Sequence, residues 1–264
     1  MLTEVKKQLK VSLLSVKYGF MREALNKASL FSSIFFMIIN NSCMIVQWIV
    51  LFSLKDNFGG YSFKEVLLLW GLAASTYGVS RFFFRKSFNL SQTIVSGALD
   101  NYIVQPKSVL LSAIISECEP SALGDIIFGY IMYFMYGFKI HTFILFTLFT
   151  ITGGLMIVAV AVILGSLSFW LTNSDQIADV GNSLVTNFAT YPDGIFKGVA
   201  RMMLYTIIPV GITNFIPARA IISFNPTLLL INIGATILFI LTAFAIFYRG
   251  LRRYSSSNLM NARV

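Results

Sequence analysis

A membrane domain of six transmembrane helices, all-α throughout, is the fold this sequence predicts, and three features predict it. Thr142 to Ser174, Ala28 to Leu54 and Ala220 to Tyr248 each run without a formal charge. About 18 or more apolar residues are enough to mark a helix that spans the roughly 30 Å hydrocarbon core. Hydrophobic residues make up 56% of the 264 and charged residues 12%, with a mean hydropathy of +0.77, far from soluble globular composition. In lipid every backbone N–H and C=O needs a partner within the protein, which leaves helices or closed barrels; long unbroken runs rather than short alternating ones select helices.

The net charge of +9 suggests nucleic acid until its placement is considered. Lys6, Lys7, Lys10, Lys17, Arg22 and Lys27 precede the first apolar run. Arg81, Arg85, Lys86 and Lys107 lie at or after the end of the second, and Arg249, Arg252, Arg253 and Arg263 follow the last. The positive-inside rule puts all three groups in the cytoplasm. Both termini are then inside and the number of spans is even, with no role for nucleic acid.

Residues 1–27 read as an amphipathic interfacial helix. Leu2, Val5, Leu9, Leu13, Val16 and Phe20 recur at three- and four-residue steps opposite Lys6, Lys10 and Lys17, an arrangement that lies in the interface with lysines toward headgroups. The segment lacks the short apolar region and small-residue cleavage site of a signal peptide. The expected spans are Leu30–Leu54, Val66–Phe84, Ser121–Phe138 and Thr142–Leu171, then one within 172–226, and Leu228–Tyr248. Arg81 is close enough to the inner end of the second to snorkel. A cytoplasmic stretch, 85–120, separates spans two and three; it is helix-like over Leu90–Val104, breaks at Gln105-Pro106 and resumes at Lys107.

Two segments compete for span five. Ile177–Tyr191 is short and polar; Gly198–Ile216 is more apolar but carries Pro209. The first is preferred, which makes 192–226 an outer re-entrant element and leaves Lys197, Arg201 and Arg219 outside, against the charge bias.

On Asp175–Thr190 the polar residues Asp175, Asp179, Asn182, Ser183, Thr186, Asn187 and Thr190 fall on one helical stripe. Such a stripe avoids lipid because its hydrogen bonds would be lost there. It lines a translocation path, or it glues helices together or lies at the cytoplasmic interface. Asn40 and Asn41, mid-span in helix one, are costly there unless paired across an interface, which gives them a structural pairing role ahead of a functional one. Gly153, Gly154 and Gly165 allow close helix approach. Glu117, Glu119 and Asp125 gather before span three without a basic or histidine partner nearby in sequence. His141 reads as a loop residue, and Cys43 and Cys118 as ordinary thiols.

Enzymatic motifs are absent: no G-x-x-x-x-G-K-[ST] for phosphates, no H-E-x-x-H for zinc, no G-x-S-x-G elbow. The chain reads as non-catalytic, with no metal or cofactor of its own. Uphill transport would draw on an ion gradient or on another subunit.

Gly97–Pro106 reads GALDNYIVQP, and Tyr191–Ala218 reads YPDGIFKGVARMMLYTIIPVGITNFIPA. With six spans and a basic amphipathic N-terminus, the chain resembles the ABC-2 type permeases, in particular a bacterial branch with G-x-L-D-x-x-(L/I)-x-x-P after span two. Gly97, Leu99, Asp100 and Pro106 match the first motif, with Ile103 at the Leu/Ile position. Tyr191, Pro192, Pro209 and Pro217 match the second. The resemblance implies an exporter half in the bacterial cell membrane, paired with a second, identical or paralogous permease and two copies of a separate ATPase that binds ATP and magnesium. It implies further that Leu90–Pro106 holds the coupling helix, with Gly97, Leu99, Asp100, Gln105 and Pro106 as coupling residues, and that Tyr191–Ile222 is the outer re-entrant element. Asn40, Asn41, Asp179, Asn182, Thr186 and Asn187 are the candidate path residues. An ion-coupled carrier and a non-transporting assembly protein are the competing readings; the first predicts repeated halves and charges at mid-depth.

Overall fold

The computed structural model describes residues 2–171, 174–206 and 208–255; Arg263 lies outside them, as do the side chains of residues 2–9 and Ser12. The chain begins with α1 (Leu2–Ala24). Asn26 then caps α2 (Lys27–Leu54), accepting from Ser29 N at 3.1 Å. A turn with Gly59 and Gly60 at positive φ leads to α3 (Phe63–Phe84), where Glu65 accepts from Ser62 N at 2.8 Å and closes the first turn. The connector holds three short helices, α4 (Leu90–Val95), α5 (Asp100–Ile103) and α6 (Val109–Ile114). α7 (Leu123–Tyr136) stops at Gly137, φ +141°, and α8 (Ile140–Ser166) follows. α9 (Ser174–Phe188), α10 (Gly198–Thr206), a π-helical turn at Gly211–Phe215 and α11 (Ile216–Ile222) precede α12 (Pro226–Leu251).

Among the described residues four helical stretches are long and apolar enough to cross a membrane: Lys27–Leu54, Phe63–Val95, Ile140–Phe169 and Pro226–Leu251. The bent pair Gly198–Thr206 and Gly211–Ile222, with its 79° kink, makes a fifth if taken as one span. Of the six expected spans, two are shorter helices than these four. At about 1.5 Å per residue, α7 with 14 residues and α9 with 15 reach only about 21–23 Å, short of a 30 Å core. Both still run from one end of the bundle to the other. Ser174 meets Ser91 and Ser168 near α1 and the C-terminal tail (the tail end), whereas Tyr61 meets Asp193 at the α2–α3 turn (the loop end).

Packing rather than water exclusion must hold helices together in lipid, so small residues mark the contacts. One such contact is between α3 and α7. A Cβ at Gly129 would lie 2.6 Å from Gly71 O and 2.7 Å from Ser75 Cβ, and one at Gly71 would lie 2.8 Å from Gly129 O. Backbones therefore touch, and a valine at Gly129 should force them apart. Overpacking of this kind costs about 1–3 kcal/mol; the expected result is an earlier thermal melt of the purified protein, and an unchanged midpoint would contradict the packing. Gly153 and Gly154 of α8 sit against Thr76 and Val79, and Gly165 against Leu90 and Ser91. α3 and α8 are largely enclosed, while α2 and α12 keep only 6% and 17% of their membrane windows buried.

Candidate functional site

Three places carry chemistry, and the first is the connector at the tail end. Leu90 to Val104, expected as one helix, is split. Gly97 takes φ +77°, a left-handed conformation natural only to glycine, so α4 ends and α5 leaves at a new angle. Leu99, wholly buried, plugs with Leu90 and Ile94 into a cluster that holds Val158 and Val162 of α8 and Ala243 and Phe247 of α12. Asp100 lies against Tyr254 beyond α12. Burial first, and then this carboxylate, push the Tyr254 phenol above its ordinary value and keep it neutral. The tip turns outward: Val104 is 82% exposed, with Asn101, Ile103, Gln105 and Pro106 also at the surface. Ser108 then caps α6.

Of the five expected coupling residues, Gln105 and Pro106 are surface residues, Asp100 is half-buried, and Gly97 and Leu99 lie inside as supports. Asn101, Ile103 and Val104 are surface residues that motif reasoning passed over. An apolar valine at the apex of a polar turn is the signal that would have found them.

The second place is the interior. A partly open chamber of about 60 Å³ is lined by Asn41, Trp70, Tyr77, Asp125, Thr186 and Asn214, among others. A wider vestibule of about 340 Å³ toward the tail end is lined by Tyr77, Arg81, Arg85, Asp179, Asn182, Ser183, Thr186 and Asn187. Tyr77 and Thr186 line both. The polar stripe of α9 thus borders a cavity opposite two arginines. α9 docks on the bundle through a different stripe, Ser174, Ala178 and Val185 buried and Gly181 set against Leu164. Among the candidate path residues, Asp179, Asn182, Thr186 and Asn187 line the vestibule, Thr186 and Asn41 the chamber, and Asn40 points to the surface. Asn41 donates to Asp125 Oδ1 at 2.6 Å and to Met37 O at 3.0 Å.

Glu117 and Glu119, before α7, have basic partners after all, supplied from α3 and the turn after it, whereas Asp125 inside α7 bonds only Asn41. Arg81 donates to Glu119 at 2.6 Å, Arg85 lies 3.3 Å from the same carboxylate, and Lys86 bonds Glu117 at 2.6 Å. Arg81 is therefore paired within the protein, not snorkelling alone, and it also donates to Tyr77 Oη at 2.7 Å.

The third place is a knot at the loop end. Asp193, with 1% of its side chain exposed, accepts from Tyr61 Oη, Arg201 Nη2 and Tyr205 Oη, each at 3.0 Å, and from Arg219 Nη2. Burial, then the Asp193 charge, raise the Tyr61 phenol above its usual range. Gly194 presses on Gly59, where a Cβ would meet the carbonyl oxygen at 1.9 Å. Tyr191 stacks edge-on with Trp48 at 6.0 Å, while Pro192, Pro209 and Pro217 are buried. Between Asp193 and Ile222 the chain reaches inward as far as Asn214, which donates to Ala189 O at 3.2 Å, and comes back to Asp193 through Arg219. Arg201 and Arg219, which stood against the charge bias, share one buried carboxylate.

Among the described residues the protein is all-helical, with several helices able to cross a membrane around a polar cavity, which is the architecture of a multi-pass membrane protein. A family model, ABC-2 family transporter protein, matches residues 38–258, and the chain belongs to that family. No curated protein and no solved structure matches it. The family is a membrane transport component, as the resemblance expected.

Proposed function

We propose that this chain is the permease subunit of an ATP-driven exporter in the bacterial cell membrane, with both termini cytoplasmic. It pairs with a second permease, identical or paralogous, and with two copies of an ABC ATPase that hold ATP and magnesium; this chain turns over no nucleotide. The tail end is then cytoplasmic and 85–120 the coupling region. The loop end is outer, with 192–226 as a re-entrant element clasped by Asp193.

One observation carries this reading: an exposed tip, Asn101 to Pro106, stands on plugs sunk between the tail-end halves of α8 and α12. A push on that tip has packed side chains behind it, and interfaces of this kind shift as units. Closure of the ATPases would rock α8 and α12 and change the vestibule bordered by α9. The test is copurification. An affinity-tagged chain is expected to bring down an ATPase whose ATP turnover depends on it; purified chain that alone pumps solute against a gradient would overturn the proposal.

A further inference from the structure

The chamber has a chemical imbalance. Trp70, Asp125 and Asn214 line it, are 7%, 4% and 1% exposed, and each has a buried polar atom without a hydrogen-bond partner: Trp70 Nε1, Asp125 Oδ2 and Asn214 Oδ1. One is a donor and two are acceptors, so their own pairing leaves an oxygen over. Native proteins leave few such atoms, and each asks for a bound group. The charge is also uncompensated. Asp125 holds only the neutral Asn41 amide, because the nearest cation, Arg81, is committed to Glu119 and Tyr77. A carboxylate enclosed in a low-dielectric interior is costly without a positive partner.

Size and composition narrow the occupant. At about 30 Å³ per liquid water, about 60 Å³ admits some two waters, or one small cation with part of its shell. Among the described residues no three His, Cys, Asp or Glu come together as a metal site, and a single carboxylate with neutral oxygens matches one positive charge rather than two. We infer that the chamber is a binding site for a singly charged cationic centre, held by Asp125 Oδ2 and Asn214 Oδ1 and reached from the vestibule past Tyr77 and Thr186. An inorganic alkali ion or an ammonium group on the cargo both supply that chemistry. The inference rests on the permease reading for its meaning in transport, not for its existence.

Equilibrium binding of radiolabelled sodium, rubidium and methylammonium to the purified chain in lipid nanodiscs tests it. The wild type is expected to bind at least one of them saturably, one per chain. Asp125→Asn, which keeps the side-chain shape beside Asn41, should weaken that binding by more than roughly tenfold, about 1.4 kcal/mol, while Glu117→Gln leaves it unchanged. Displacement by methylammonium identifies an ammonium site, and its failure to displace identifies an alkali-ion site. No saturable binding of any probe to wild type, or undiminished binding to Asp125→Asn, overturns the inference. Should Asp125→Asn not fold, Asn214→Ser takes its place, with weaker binding expected and unchanged binding overturning the inference. An ATPase that still copurifies when no cation binds retires the cation site and leaves the permease reading standing.

Discussion

Asp193→Ala is expected to destabilise the protein by about 3–5 kcal/mol, the range for breaking a buried ion pair from one side. The carboxylate is enclosed and serves four donors on three separate pieces of chain. Without it, Tyr61 and Tyr205 lose their acceptor, and Arg201 and Arg219 face each other unscreened. The two guanidiniums are 44% and 43% exposed, so water recovers part of their solvation and moves the effect toward the lower figure. Tyr61→Phe removes one hydrogen bond and should cost only about 1 kcal/mol. Thermal unfolding of the purified protein, followed by tryptophan fluorescence, separates the three. Trp48 beside Tyr191 and Trp70 in the core report on the two ends of the affected region. An Asp193→Ala melt indistinguishable from wild type would mean that the knot is ornamental.

Val104→Glu is expected to release the ATPase while leaving stability intact. The side chain stands 82% exposed, and surface substitutions away from special features fall within about 0.5 kcal/mol. A charge at an apolar docking tip would cost about 2 kcal/mol of binding or more, roughly a thirtyfold loss. Leu99→Ala provides the contrast. It empties a fully buried position, for which about 2–5 kcal/mol of stability is the ordinary loss, so melting temperature and attachment should fall together. Asp100→Arg belongs with Leu99, because it breaks the contact with Tyr254 before any partner is met. Copurified ATPase, quantified beside the melting midpoint for each variant, distinguishes docking from support; full ATPase recovery with Val104→Glu would move the docking surface elsewhere.

The contrast between Val104 and Leu99 shows what the sequence could reveal. Long apolar runs announce α2, α8 and α12 within a few residues of their ends, because a membrane span is written in composition alone. α7 and α9 are legible too, Ser121–Phe138 being expected where α7 runs Leu123–Tyr136 and Ile177–Tyr191 where α9 runs Ser174–Phe188, but the packing around them is not. A stripe on a wheel shows that a face is polar without showing what it borders. Asp179 and Asn182 are recognisable, and the arginines opposite them are not, since Arg81 and Arg85 come from α3 and the turn after it, some hundred positions earlier. Long-range pairing also explains Asp193. It carries no motif of its own, and its four partners run from position 61 to 219. The small residues on which α9 rests, Ala178 and Gly181, lay between two stripes that looked more eventful.

The contact between Asp100 and Tyr254 has a consequence for biogenesis. Translation supplies the elbow early and its fastener some 150 positions later, after the final hydrophobic helix has been threaded. Until that tyrosine arrives, Leu99 has no α12 to sink against and the turn has no clasp behind it. A half-made polypeptide therefore presents the Asn101 to Pro106 turn without its support, which is complete only once α12 and Tyr254 are in place.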